Sequence, residues 1–259
     1  MSAPWLSVVI PAYNERDGIA AAVGAARDHL ERLGRPYELI VVDNASEDGT
    51  TEAVEALADG EVVRLLRNER NRGKGFSMRR GMGEARGELL LHCDADCTPS
   101  FASLDRMLAL IEEADVVVGS RLAAGASLGR RQPLPRRVVG RSFQLLCRLV
   151  LREPTSDLFC GFKLWRREAA AAVFPRIGLD GWVFDAEALA LARALGFRLR
   201  EVGIVWSDRS GSRLAVGRVL VPVVLELLRA RAAVRREAAR AGAAHGAEPA
   251  VATPSDSGR

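Results

Sequence analysis

Residues 89–100 read LLLHCDADCTPS, an apolar run from Leu89 to Cys93 that stops abruptly at Asp94-Ala95-Asp96. The run is too short for a core helix and is followed by turn residues, so it reads as a buried strand. One unpaired buried carboxylate is costly, and two close together repel. A strand end carrying both is therefore expected to meet positive charge. Strand alternation would send Asp94 and Asp96 to one face and Ala95 to the other. Two readings stay open. The pair suits a hard divalent cation such as Mg²⁺ or Mn²⁺, which takes carboxylate and phosphate oxygens. It also suits a turn or helix cap, because Thr98-Pro99-Ser100 follows directly.

The same grammar recurs on either side. Leu6–Ile10, Glu38–Val42, Val62–Leu66, Glu88–His92 and Asp115–Gly119 read as strands. Helical patterns at Asp17–Leu33, Thr50–Leu57, Gly75–Ala85 and Ser103–Glu112 separate them. Continuously apolar strands alternating with helices predict an α/β fold, a mostly parallel sheet covered on both faces. In such sheets a ligand binds beyond the carboxyl ends of the strands. Pro11, Tyr13, Glu15, Asp43, Asp94, Asp96 and Arg121 all fall there. Beyond Arg121 the pattern loosens. Arg121–Pro135 reads as a loop, Leu158–Leu164 and Arg198–Trp206 as strands, and Arg136–Leu151, Glu168–Phe174, Phe184–Leu195 and Leu214–Arg236 as helices. In the first of these helices Val139, Phe143, Leu146 and Val150 form one stripe.

Composition excludes several classes. At 48% hydrophobic and 27% charged, the 259 residues are globular in character. A net charge of +4 permits an anionic partner, but 5% aromatics and no zinc-finger spacing argue against nucleic acid. Cys93, Cys97, Cys147 and Cys160 are too few for a disulfide framework and are expected as thiols. With His29, His92 and His245 as the only histidines, a zinc site lacks ligands. The opening MSAPWLSVVI has no signal-peptide pattern, and no stretch is apolar enough to span a bilayer.

Two further features point to phosphate. Asn71-Arg-Gly-Lys-Gly75 is a basic, glycine-rich turn ahead of a helix, though without P-loop spacing. Arg121, Arg130, Arg131, Arg136, Arg137 and Arg141 form a cationic cluster, which would also serve as a plain solvated face. Carboxylates for a metal, a phosphate turn and arginines together suggest a diphosphate substrate.

The motifs SVVIPAYNE, ELIVVDNASEDGT, RNERNRGKGFSMRRGMGEARGELLLHCDAD and VVVGSR make the chain resemble a family 2 glycosyltransferase with the GT-A, Rossmann-like nucleotide-sugar fold. TSDLFCGFKLWRREAA, DGWVFDAEALALARALG and VWSDRSGSRL resemble the polyprenyl-phosphate (dolichyl-phosphate) hexosyltransferases, most of all those that transfer glucose. The resemblance runs from Leu6 to Arg213. It implies one domain over 1–237, with a nucleotide-sugar half at 1–121 and a C-terminal acceptor-side extension at 122–237. Residues 238–259 read as a disordered tail.

The resemblance also implies roles. Pro11, Tyr13, Glu15, Asp43 and Asn44 would line the nucleoside pocket, although the family usually has Asp where Asn44 stands. Lys74 would lie near the nucleotide, Asp94 and Asp96 would hold the metal, Arg121 would meet phosphate, and Asp157 would serve the sugar or acceptor region. The expected reaction is inverting, metal-dependent transfer of a hexose, with UDP-glucose favoured over GDP-mannose as donor and a polyprenyl phosphate as acceptor. For that acceptor, Arg131 and Arg213 are the phosphate candidates. A soluble hydroxyl acceptor is the alternative. It would need a base, for which Asp185 is the candidate unless it caps its helix. A lipid acceptor implies a cytoplasmic protein peripheral on an anionic membrane face. Val216, Val219, Leu220, Val223, Leu227 and Leu228 would form the apolar stripe, with Arg218, Arg229, Arg235 and Arg236 toward headgroups; otherwise the stripe packs on the core.

Overall fold

The strands of this chain are apolar throughout because both faces of their sheet are covered. In the computed structural model, which describes residues 3–129, 134–207 and 220–246, consecutive residues of β1 (Leu6–Ala12) belong to two different cores. Val9 packs with Ile40, Leu90, Val118 and Trp165 on one face. Val8 and Ile10 pack with Leu39, Val41, Leu91 and Phe162 on the other. This is period-two burial with no solvent face, as a doubly covered sheet requires.

Seven strands stand in the order β3-β2-β1-β4-β7-β5-β8. They are β2 (Tyr37–Asp43), β3 (Val63–Arg67), β4 (Leu89–Cys93), β5 (Val116–Ser120), β7 (Phe162–Arg166) and β8 (Leu199–Gly203), with β1 near the middle. All neighbours are parallel except β7, which runs antiparallel between β4 and β5. The mostly parallel sheet expected from the sequence is thus borne out, with β7 as its one antiparallel strand. A strand from beyond residue 122 sits inside the sheet, so the two stretches of chain interleave. The expected strand Leu158–Leu164 starts later, at Phe162, because Asp157 and Cys160 belong to the site loop described below. The expected strand Arg198–Trp206 breaks in two at Ile204. β8 joins the main sheet, and β9 (Val205–Trp206) pairs with β6 (Ser127–Leu128) in a separate ribbon.

The helices are α1 (Arg16–Leu33), α2 (Thr50–Glu55), α3 (Lys74–Glu84), α4 (Leu104–Leu110), α5 (Leu134–Leu151), α6 (Arg167–Val173), α7 (Phe184–Ala194) and α8 (Leu220–Gly246). α1 buries Ile19, Val23, Ala26 and Leu30 at helical spacing and ends at Gly34 in the left-handed conformation. α3 lies close on the sheet because residue 81 is glycine: a Cβ there would fall 2.3 Å from Val9 Cγ1. α8 continues to Gly246, so the chain is helical past Glu237, where the sequence reads as a tail. Among the described residues no helix is long and apolar enough to cross a membrane.

At the far end of the sheet from the strand carboxyl ends, buried Glu38 gathers several donors. It accepts from the Ser7 hydroxyl at 2.7 Å, the Arg86 backbone N–H at 2.6 Å, and the side chains of Arg86 and Arg64. Burial would raise its pKa, but these donors together hold it below the ordinary carboxyl value of 4.5. A depressed folded-state pKa means that the stabilisation is complete above the unfolded value and is lost as pH falls through the folded one. Glu38→Gln is expected to destabilise the fold by about 2 kcal/mol at neutral pH, with the difference shrinking in acid. Urea denaturation of both proteins at neutral and acid pH measures it.

Candidate functional site

The loops after β1 and β2 are stapled to each other. The Asn14 N–H donates to Ser46 Oγ (2.9 Å) and the Glu47 N–H to Asn14 Oδ1 (3.0 Å). The Glu15 and Arg16 N–H groups donate to Thr50 Oγ1 and Asp48 Oδ2. Asn14 and Ala45 both take positive φ, +54° and +60°, which these reciprocal bonds enforce. Pro11 is half-buried and Tyr13 46% exposed, so they are available to a ligand at this end of the sheet.

Asp43 and Asn44 are not. Asp43 is fully buried and accepts from the Ser46 N–H and the Thr51 hydroxyl. Asn44 accepts from Asn68 Nδ2 (2.9 Å) and the Arg72 N–H (3.1 Å), and donates to Asn71 Oδ1 (2.7 Å). Both side chains are here engaged by neighbouring protein groups. They shape the wall and tie β2 to the turn leading to Lys74. The Asn44-to-Asn71 bond needs an amide donor, which accounts for asparagine where the resembled family has Asp.

Lys74 opens α3, a position where the helix dipole disfavours a cation. Two aspartates outweigh that. Lys74 Nζ donates to Asp94 Oδ2 at 2.8 Å and to Asp185 Oδ2 at 3.0 Å. Burial alone would lower its pKa, but Asp185 and Asp94 raise it, so it stays an ammonium. Behind it, Asp185 Oδ1 accepts from Lys163 Nζ at 2.5 Å, and Lys163 also donates to the Cys160 carbonyl. His92 lies between the aspartates, with Nε2 3.0 Å from Asp94 Oδ1 and Nδ1 3.5 Å from Asp185 Oδ1. Burial lowers the His92 pKa against the pull of Asp185, which leaves the imidazole neutral. Two lysines and two aspartates then balance. Residue 161 must be glycine here, since a Cβ would lie 1.9 Å from Asp94 Oδ2.

Asp185 is accordingly not the base suggested by its sequence position. Its side chain is 2% exposed, and Lys163 and Lys74 hold its pKa down against burial. Asp157 is engaged in the same way. It is fully buried and takes Arg121 Nε at 2.7 Å, Arg121 Nη2 at 2.8 Å, the Arg121 N–H and Gln144 Nε2. Asp157 holds Arg121. Arg121 remains 26% exposed, with its guanidinium 5.3 Å from the Trp206 ring centre. Burial opposes its charge, and Asp157 more than restores it.

β4 ends at Cys93, so strand alternation does not govern the acidic pair. Asp94 to Cys97 is a turn, closed by the Cys97 N–H to the Asp94 carbonyl at 2.9 Å. The turn still brings the carboxylates together. Burial and the Asp94 charge push the Asp96 pKa up to about 6, against the pull of Lys74 and Arg121. Among the described residues no three acidic, histidine or cysteine side chains converge as a metal cage. A hard divalent cation nevertheless fits the donors, because Mg²⁺ and Mn²⁺ commonly take one or two carboxylates and complete their shells with substrate phosphate and water. Arg131 and Arg213 lie outside the described residues. All four cysteines are buried and free.

Sequence reading missed His92, Lys163 and Gln144 as members of this site. The signal for the first two was a titratable residue inside an otherwise apolar strand, in LLLHC and in FKLW. Such a residue needs a buried counter-charge or hydrogen-bond partner. Gln144 carried no such signal.

The glycosyl transferase family 2 model matches residues 7–174. Dolichyl-phosphate beta-glucosyltransferase of Dictyostelium discoideum is 32% identical over 224 residues, covering 81% of this chain and 68% of that protein. The Mus musculus enzyme of that name is 32% identical, covering 81% and 69%. Glycosyltransferase AglD of Haloferax volcanii is 30% identical over 86% of this chain and 36% of its own. Among solved structures, glucosyl-3-phosphoglycerate synthase from Mycobacterium tuberculosis, in complex with Mn²⁺, UDP-glucose and phosphoglyceric acid, is similar in fold. Its TM-score is 0.63 at 20% identity, over 88% of this chain and 80% of that one.

Removing one member of the buried cluster leaves an uncompensated charge. Lys163→Met is expected to cost about 3–5 kcal/mol of stability. The double variant Lys163→Met/Asp185→Leu should recover at least half of that loss, a coupling read from urea denaturation of the full cycle.

Proposed function

The chain belongs to glycosyl transferase family 2 and is a nucleotide-sugar glycosyltransferase, and on that footing we propose that it transfers glucose from UDP-glucose to a polyprenyl phosphate with inversion. One observation carries the choice of acceptor. Asp94, Asp157 and Asp185 are each paired to a lysine or arginine, and with Asp96 given to the metal none is left as a free base. A hydroxyl acceptor needs a base, whereas a phosphate acceptor is already an anion at neutral pH and needs none. Glucose and dolichyl phosphate are also what the names of the relatives carry, and UDP-glucose is the donor in the complex of the M. tuberculosis enzyme.

In this reading Pro11 and Tyr13 line the nucleoside pocket with Glu15 at its edge, and the stapled loops hold that pocket open before the donor arrives. Asp96, with Asp94 beside it, would hold Mg²⁺ or Mn²⁺ against the diphosphate. That ion would supply charge neutralisation for the leaving group. Lys74 and Arg121 are cations at the same end of the sheet, each backed by a buried carboxylate. They stabilise negative charge that grows on the nucleoside diphosphate as the sugar leaves, and their fixed geometry avoids reorganisation during the step. Arg131 and Arg213 are proposed to receive the acceptor phosphate.

Asp96→Ala is expected to lower transfer by about a thousandfold or more, and EDTA to inhibit the wild type. Mass spectrometry of products from UDP-glucose or GDP-mannose, each with a polyprenyl phosphate or a hydroxyl acceptor, tests the assignment. The expected product is a polyprenyl-phosphate glucose made from UDP-glucose. Transfer only to hydroxyl acceptors, or full activity in EDTA, would overturn the reading.

A further inference from the structure

Helix α5 is apolar on two faces, and only one of them is covered. Phe143, Cys147 and Val150 pack into the core. Val138, Val139, Leu145, Leu146 and Leu149 are exposed, Leu149 at 66% and Val138 at 57%. At 100° per residue these five fall within a sector of about 120°, a stripe interrupted only by the exposed Ser142. The edge of the stripe carries Arg137, Arg141 and Arg148, and α5 contains no acidic residue. α8 lies alongside, with Arg231 Nη1 donating to the Val150 carbonyl at 2.6 Å. Its first described turns repeat the pattern: Val224, Leu225 and Leu228 are exposed, and so are Arg229, Arg235 and Arg236 further along. The stripe expected on α8 from sequence is thus divided, since Leu227 is buried in the core. Val216, Arg218 and Val219 lie outside the described residues.

We propose that α5 and the first turns of α8 are a seat for an anionic lipid surface, with α5 lying in the interface plane. Val138, Leu145 and Leu149 would enter the acyl boundary, and the flanking arginines would meet headgroup phosphates. Charge decides between lipid and a second copy of the chain. A two-fold contact through this face would set arginine against arginine, whereas an anionic bilayer satisfies the stripe and its flanks together. The seat also adjoins the site. Gln144, on the core side of α5, donates to Asp157 at 3.1 Å and accepts from the Leu158 N–H at 3.0 Å. The helix resting on lipid is therefore bonded to the carboxylate that holds Arg121. The purpose of the seat rests on the polyprenyl-phosphate reading, but docking itself is measured without any substrate.

The test is co-sedimentation of the full chain with vesicles of phosphatidylcholine alone or containing phosphatidylglycerol, at low and high salt. Binding is expected with the anionic vesicles and should weaken as salt rises. L145S/L149S should lower the partition coefficient about tenfold or more, since each leucine removes sizeable apolar area from water. UDP binding by calorimetry should be unchanged in that variant. In L149W, brominated acyl chains should quench the added fluorescence. No binding to anionic vesicles, or equal binding by L145S/L149S, would overturn the proposal. So would a lipid-free dimer, seen by light scattering, that L145S/L149S dissolves. Transfer to a short, water-soluble polyprenyl phosphate separates the two readings. If it persists while docking fails, the seat falls and the acceptor assignment stands. If docking holds and no polyprenyl phosphate is accepted, the reverse follows.

Discussion

Everything at the carboxyl end of the sheet depends on a buried, balanced charge cluster. Lys74, Asp94, Asp185 and Lys163 surround a neutral His92, and three of the five side chains are at most 2% exposed. Taking each ion out of water costs several kcal/mol, which is recovered only when every partner is in place. The partners come from α3, the end of β4, β7 and α7. These four elements must therefore arrive together, and the antiparallel insertion of β7 is what delivers Lys163 to the middle of the sheet. Stability and site geometry are one requirement here.

A second unit repeats the logic around Arg121. Asp157 holds the Arg121 guanidinium side-on through Nε and Nη2, and Gln144 steadies Asp157 in turn. In both units a partly exposed cation is backed by a buried carboxylate. Neither cation is free to swing, so neither must be ordered when charge develops. The proposed chemistry needs this arrangement. That reaction starts with two anions, the donor diphosphate and the acceptor phosphate, and moves negative charge from the acceptor to the leaving nucleoside diphosphate, and the site offers fixed positive charge in place of a mobile base.

The stapled loops complete the picture on the nucleotide side. Asn14 and Ala45 accept unfavourable backbone angles, and the cross-loop bonds hold them there. Asn44 links the same wall to the turn that presents Lys74. A loop after β1, a helix start and a strand end are thus connected by hydrogen bonds.

The alternation of apolar strands and helices through residue 120 was legible from sequence alone, because burial on both faces forces a pattern that chemistry at each position reveals. The site's general place was legible for the same reason, since polar residues cluster where those strands stop. The role of each acidic residue was not. Asp185 looks like a free base or a cap in FDAEAL, and only its contact with Lys74, 111 residues away, shows that it is a counter-ion. The protein partners of Asp43 and Asp157 were likewise not legible in the sequence. On α5 the stripe Val139, Phe143, Leu146 and Val150 was visible, but the structure divides it, burying the side of Phe143 and Val150 and exposing Val139 and Leu146. A helix apolar on two faces does not encode which face meets the core. Local periodicity reports that a residue is apolar or charged. Which partner satisfies it is decided by elements distant in sequence, and those meet only in the folded chain.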